Sequence, residues 1–160
     1  MFDTRNDLSA GIRGKVIELL NARLADAIDL NTQAKYAHWN VKGPQFIALH
    51  ELFDKVAESI EGHIDTLAER VTALGGRARG TLAQVARGTS LKPYPEDISE
   101  GRSHVEALSR ALAAHGAQLR AAIGTADEAG DADTADLFTG ISREADKYLW
   151  FLEAHLHAER

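Results

Sequence analysis

The sequence predicts an all-α protein: four long helices packed as a bundle, with a short extra helix in the connection between the second and third. Three observations carry this. Apolar residues return every three to four positions through four separate stretches, the spacing that puts them on one helix face. Break signals at Gly43-Pro44, Gly75-Gly76 and Pro93/Pro95 fall between the first three stretches. The 160 residues, 44% hydrophobic and 26% charged, suit one globular domain over 1–160 with a real core, residues 1–8 forming a short arm.

The first helix is expected from about Ser9, a plausible cap, to His38, on the beat Val16, Leu20, Leu24, Ala27, Ile28 and Ala34. Asn31, Lys35 and His38 continue that line as the helix turns polar, so His38 sits where a core stripe becomes a site. The second helix begins at Pro44, which suits a first helical position, and stops at Gly75-Gly76. That run is about 31 residues, roughly 46 Å of helix. Leu49, Phe53, Val56, Ile60, Ile64, Leu67 and Val71 form its bundle-facing stripe. Lys55, Ser59, His63, Thr66 and Arg70 fall on the opposite side, expected to be solvated.

Residues 75–96 are too long for a structureless connection, and Thr81 to Arg87, closed by Gly88, can form a short helix there. Asp97, three residues before Glu100, resembles the cap of a capping box and would open the third long helix. That helix follows the beat Val105, Leu108, Leu112, His115, Leu119, Ile123 and ends at Gly124. His104 and His115 have no acidic partner at ligand spacing and read as structural. Asp133-Thr134 can start the last helix, with core positions Leu137, Ile141, Ala145, Tyr148 and Leu152.

The chemistry lies on the second helix. Between its apolar and solvated faces runs an acidic flank of His50, Asp54, Glu58, Glu61, Asp65 and Glu69. His50/Asp54 and Asp65/Glu69 are i, i+4 pairs, each setting two metal-ligand types side by side. The pairs stand eleven residues apart, about 16 Å along the axis, while ligand bonds are near 2 Å. One chain cannot close both on one ion, but a second copy running antiparallel can, and the two-fold axis makes the site twice. Taken singly, helix-flank carboxylates are ordinarily solvated and a helical His is ordinarily a packing residue. The pairing, with His38 at the preceding helix end, is what points to metal.

Several stretches resemble the Dps mini-ferritins of the ferritin superfamily: AHWNVKGPQFIALHELFD, HIDTLAERVTALGG, LKPYPEDI and ADTADLFTGISREADKYLWFLEAHL. The likeness runs from TRND near residue 4 to the C-terminus. It implies a ferritin-like four-helix bundle, with the short helix in its long connection, assembled as a hollow homododecamer. It also implies ferroxidase sites between two-fold-related subunits, with ligand positions at His38, His50 and Asp54 of one chain and Asp65 and Glu69 of the other. The implied reaction is oxidation of Fe(II), preferably by hydrogen peroxide rather than dioxygen, followed by storage of ferric mineral and protection from oxidative damage. No Glu-x-x-His pair of the kind that builds a di-iron centre inside one bundle is present, which favours the mini-ferritin over larger ferritins.

Further expectations follow from that likeness. Asp131, Asp133 and Asp136 match a three-fold pore for ferrous iron, where repeated carboxylates would focus a negative field; acids that stabilise a helix start are the alternative. Glu58 and Glu61, singled out by their place on the acidic arc of the second helix and not by the likeness, are candidates to nucleate mineral. Trp39 could shield the metal or donate an electron, or simply pack against the neighbouring chain. Zn(II) would accept the same donors and is a competitor, since donor type selects weakly between the two metals; a non-catalytic zinc-binding bundle therefore remains a rival reading.

Charge and composition narrow the partners. The formal charge of −6 suits attraction of cations and argues against DNA binding as the main activity. The lysine-rich N-terminal tail of DNA-binding Dps proteins is missing, and the terminal HLHAER is not basic. DNA is expected to bind weakly or not at all; a nucleoid DNA-protection protein is the alternative, with Arg70, Arg77, Arg79, Arg87 and Lys92 of the acid-free segment from Arg70 to Pro95 as its one remaining contact, although a solvated loop is the more ordinary reading of that segment. Without Cys, disulfides and thiolate sites are excluded, and Met1 is the only methionine. No apolar run approaches 18 residues and no signal-peptide pattern opens the chain, so a cytoplasmic location without membrane contact is expected.

Overall fold

The computed structural model describes residues 1–157; the last residues of the expected domain, and with them the end of HLHAER, lie outside the described residues. Five helices follow in order: α1 (Ala10–Asn40), α2 (Phe46–Ala73), α3 (Leu82–Gly88), α4 (Gly101–Ala129) and α5 (Ala132–Ala154). The four long ones make the bundle, and α3 is the short helix of the crossover. Connections of five and two residues join α1 to α2 and α4 to α5, which folds each couple into a helical hairpin. Among the described residues there is no strand, and no helix is long and apolar enough to cross a membrane.

The helices form where the sequence expects them, and most departures are at ends. The Ser9 hydroxyl accepts from the Ile12 amide and caps α1. Pro44 does not begin α2. Gly43, at φ 114°, closes a tight turn through Phe46 N to Gly43 O at 3.0 Å, and the helix starts at Phe46. Thr81 and Gln84 form the capping box of α3, which takes in Gly88 and is capped at its C-terminus by Thr89.

The third long helix departs most. Asp97 is not its cap; Glu100 is, and α4 begins at Gly101. The Lys42 amide donates to the Ser99 carbonyl at 2.8 Å, and this bridge ties the backbone at Ser99–Glu100 to the approach to α2 and delays the helix. Gly124 does not end it. The stop is Gly130, at φ 86°, with Gly130 N to Asp127 O at 2.9 Å and Asp131 N to Ala126 O at 3.0 Å. This double closure around a left-handed glycine satisfies the last carbonyls of α4. Asp131, two residues earlier than expected, then caps α5 by accepting from the Thr134 amide.

One core runs through all four long helices and includes Leu30, Phe53, Leu67, Leu112 and Phe138, each buried. Full burial of such a side chain is worth roughly 1.5–3 kcal/mol. The face of α2 expected to be solvated is partly covered. His63 meets Glu144 of α5 at 2.8 Å, and Arg70 reaches Asp131 at 2.7 Å and Thr134 at 3.0 Å. Helical periodicity separates apolar from polar faces, and it does not show that a neighbouring helix brings its own acids to the polar one. At the N-terminus the arm folds back, with the Phe2 amide donating to the Gly75 carbonyl at 2.7 Å.

Candidate metal centre

The turn between α1 and α2 brings His38 and His50 face to face. Their rings stack at 3.7 Å between centroids, 21° from parallel. Nδ1 of His38 lies 2.8 Å from the His50 carbonyl, and Nδ1 of His50 lies 2.8 Å from the His38 carbonyl. A carbonyl can only accept, so in each ring the proton sits on Nδ1 and Nε2 carries the lone pair. An imidazole whose other nitrogen donates to a backbone carbonyl is the usual arrangement of a metal-ligating histidine, fixed in tautomer and orientation.

Asp54 joins them, one turn beyond His50, with Oδ1 3.9 Å from Nδ1 of His38. Its near partner is Lys35, which donates a short hydrogen bond to the same oxygen. That bond, aided by the Lys35 charge, holds the Asp54 carboxyl below the usual range against an opposing effect of desolvation. The carboxylate is thus ionised and ready to bind a cation, but an arriving metal must displace an ammonium. Lys35 falls on the expected line toward His38; its pairing with Asp54 across the helix hairpin was not legible from either helix alone.

Asp65 and Glu69 stand elsewhere on α2, both exposed and with no side-chain partner among the described residues. Within one chain the structure therefore brings together His38, His50 and Asp54 and leaves Asp65 and Glu69 apart. Among the described residues no group of three or more His, Asp or Glu can hold an ion within one chain. The rim around His50 is apolar: Phe46 lies 5.0 Å from its ring, Ile47 is exposed and Trp39 is 68% exposed. Such aromatic and aliphatic surface beside a half-built site fits coverage by a second chain.

The three acids of the expected pore divide. Asp131 is buried and spent inside the chain on Arg70 and on the amide and hydroxyl of Thr134. Asp133 is 85% exposed, 3.8 Å from the Arg70 guanidinium, and Asp136 is exposed. Glu58 and Glu61 are exposed on α2. His104 and His115 are both buried.

Comparison with known proteins agrees with this fold. A family model described as a ferritin-like domain matches residues 17–160. A protein of Agrobacterium fabrum named DNA protection during starvation protein is 50% identical over 153 residues, covering 96% of this chain and 94% of that one. Among solved structures, Dps of Mycobacterium smegmatis superposes with a TM-score of 0.94 at 30% identity, covering 99% of this chain and 96% of that one. Dps of Microbacterium arborescens, described in its high iron form, superposes with a TM-score of 0.86 at 33% identity, covering 92% and 96%. The helical architecture, the crossover with its short helix and the length of the match agree: this chain belongs to the Dps family of ferritin-like proteins.

Proposed function

We propose that this chain is a ferroxidase and iron-storage protein whose active site is completed by a second copy. The observation that carries the reading is the reciprocal bonding of His38 and His50, which puts both protons on Nδ1 and leaves two Nε2 lone pairs as donors, with the ionised Asp54 3.9 Å from Nδ1 of His38. An antiparallel twin would bring Asp65 and Glu69 to that half-site, and the two-fold axis would build it twice per dimer. His38, His50, Asp54 and Glu69 bind the ferrous substrate directly, with Asp65 a weaker ligand through water. Neutral imidazoles suit Fe(II). The carboxylates offset the charge that grows as the ion becomes Fe(III), so the donor set favours the oxidised state.

The oxidant is hydrogen peroxide in preference to dioxygen, and ferric product mineralises inside a hollow dodecamer, with Glu58 and Glu61 as nucleation points. Iron reaches the cavity past Asp133 and Asp136; Asp131, neutralised by Arg70, shapes the opening rather than charging it. Removal of iron and peroxide protects the cell. With a net charge of −6, the protein acts mainly on metal in the cytoplasm, and DNA is at most a weak partner. Zn(II) competes for the same donors.

Stopped-flow Fe(II) oxidation with limiting peroxide tests the reading on native protein and on the His50→Ala/Asp54→Ala double variant. Rapid oxidation by the native protein and its loss in the variant are expected. Equal rates would mean the site lies elsewhere.

A further inference from the structure

A second pair of chemistry-bearing side chains packs against residues of both helices of the site hairpin. The phenol oxygen of Tyr94, in the segment leading to α4, lies 2.9 Å from Nδ1 of His104. His104 is 0% exposed, and its ring lies 6.4 Å from that of Phe53, the residue before Asp54. On its other side the Tyr94 ring meets Tyr36 edge-on at 5.4 Å, and Tyr36 precedes His38 by two residues on α1. The pair therefore packs against Phe53, next in sequence to Asp54 on α2, and against Tyr36, two residues before His38 on α1.

Burial, and then Tyr36, push the Tyr94 phenol far above its ordinary range, so it does not ionise in place. A buried phenol gives up an electron readily only if its proton leaves at the same moment. Burial pushes His104 down while the Ile98 carbonyl favours its protonation. With the His104 proton on Nε2, which is buried and has no hydrogen-bond partner among the described residues, Nδ1 presents a lone pair to the Tyr94 hydroxyl. The phenolic proton then has a base within hydrogen-bond distance.

We propose that Tyr94 is a one-electron donor to iron oxidation at the shared site, with His104 receiving its phenolic proton. This rests on the ferroxidase reading above. Peroxide takes two electrons and two protons to become two waters, whereas one Fe(II) gives one electron. When a site holds a single ferrous ion, Tyr94 supplies the other. The O–O bond breaks, two protons from solvent complete the two waters, Fe(II) becomes Fe(III), and Tyr94 becomes a neutral phenoxyl radical. The Tyr94 O–H bond breaks and a His104 Nδ1–H bond forms. A second Fe(II) then reduces the radical, and the proton returns from His104. Both electrons of the peroxide are accounted for, and no hydroxyl radical is released. The edge contact with Tyr36 gives the electron a path toward α1.

The test uses the full-length assembled protein, mixed with Fe(II) at or below one ion per site and excess hydrogen peroxide, then freeze-quenched for EPR. Iron oxidation is followed by absorbance in the same mixtures. The native protein should give a tyrosyl radical that disappears in Tyr94→Phe, and at one ion per site iron oxidation in that variant should slow, because peroxide's second electron has lost its donor. In His104→Gln, which keeps a hydrogen-bonding side chain but takes no proton, the radical yield should fall. Normal iron oxidation with no radical, with a radical that survives Tyr94→Phe, or with a tryptophan radical instead would overturn the proposal and leave the ferroxidase reading standing. Absence of iron oxidation in the native protein would overturn both.

Discussion

Replacing His115 by leucine should make the protein more resistant to acid. His115 is 2% exposed on α4, and neither ring nitrogen has a hydrogen-bond partner among the described residues. Burial first, and then the charges of Arg23 and His63, lower its pKa from 6.5 to about 4. The unfolded chain takes up a proton near pH 6.5, whereas the folded chain resists until about pH 4. Through that window the unfolded state binds more protons, so stability falls as the pH falls and levels off below it. The interval from 6.5 to about 4, at about 1.4 kcal/mol per pH unit, amounts to about 3 kcal/mol per subunit. Leucine does not titrate, and it also removes two orphaned nitrogens, a class of defect that costs roughly 1–3 kcal/mol per group. Urea unfolding of both proteins, at one fixed subunit concentration because assembly couples to stability, measures the difference. Between neutral pH and about pH 4 the native protein should lose about 3 kcal/mol more than His115→Leu. Parallel losses would refute the assignment of a buried, neutral His115.

Three other perturbations probe the site, the helix start and the surface. Lys35→Gln removes the ammonium that depresses the Asp54 carboxyl, so anaerobic Fe(II) titration should show tighter binding. The gain should reach at most about fivefold, the ceiling set by an exposed ion pair of about 1 kcal/mol, and unchanged affinity would contradict the pairing. Asp131→Asn strands Arg70 and should cost about 3 kcal/mol in urea unfolding. Asp133→Asn and Asp136→Asn should stay within about 0.5 kcal/mol and slow iron uptake instead, and equal stability of all three would reject the division between them. A DNA mobility shift over a salt series should show no retained complex at about 150 mM salt; a complex surviving there, with a steep salt dependence, would restore nucleic acid as a main partner.

The helices were legible because their signals are local. The 3.6-residue beat, Ser9 as a cap and Thr81 at the start of α3 are written within a few residues of where they act. What was not legible depends on contacts across the chain. Asp97 has the capping residue type, but the Lys42–Ser99 hydrogen bond, reaching back over 57 positions, fixes where α4 begins. Gly124 and Gly130 are alike in sequence, and only Gly130 takes the left-handed backbone that ends a helix.

The candidate site divides the same way. Spacing marked His50 with Asp54 and Asp65 with Glu69 as pairs and showed that one chain cannot join them. Lys35 on Asp54 and Arg70 on Asp131 appear only when one helix is laid on another. The Tyr94–His104 hydrogen bond spans only ten positions, yet each residue reads alone as ordinary packing.

The central claim is that each metal site takes ligands from two chains, and co-assembly of two inactive variants tests it directly. One variant carries His50→Ala/Asp54→Ala and the other Asp65→Ala/Glu69→Ala. In a mixed dimer the intact His50 and Asp54 of one chain face the intact Asp65 and Glu69 of the other, restoring one site of two. Random pairing makes half the dimers mixed, so peroxide-dependent Fe(II) oxidation should recover to about a quarter of the native level. Activity no higher than that of either variant alone, in assemblies shown by mass to contain both, would contradict a shared site.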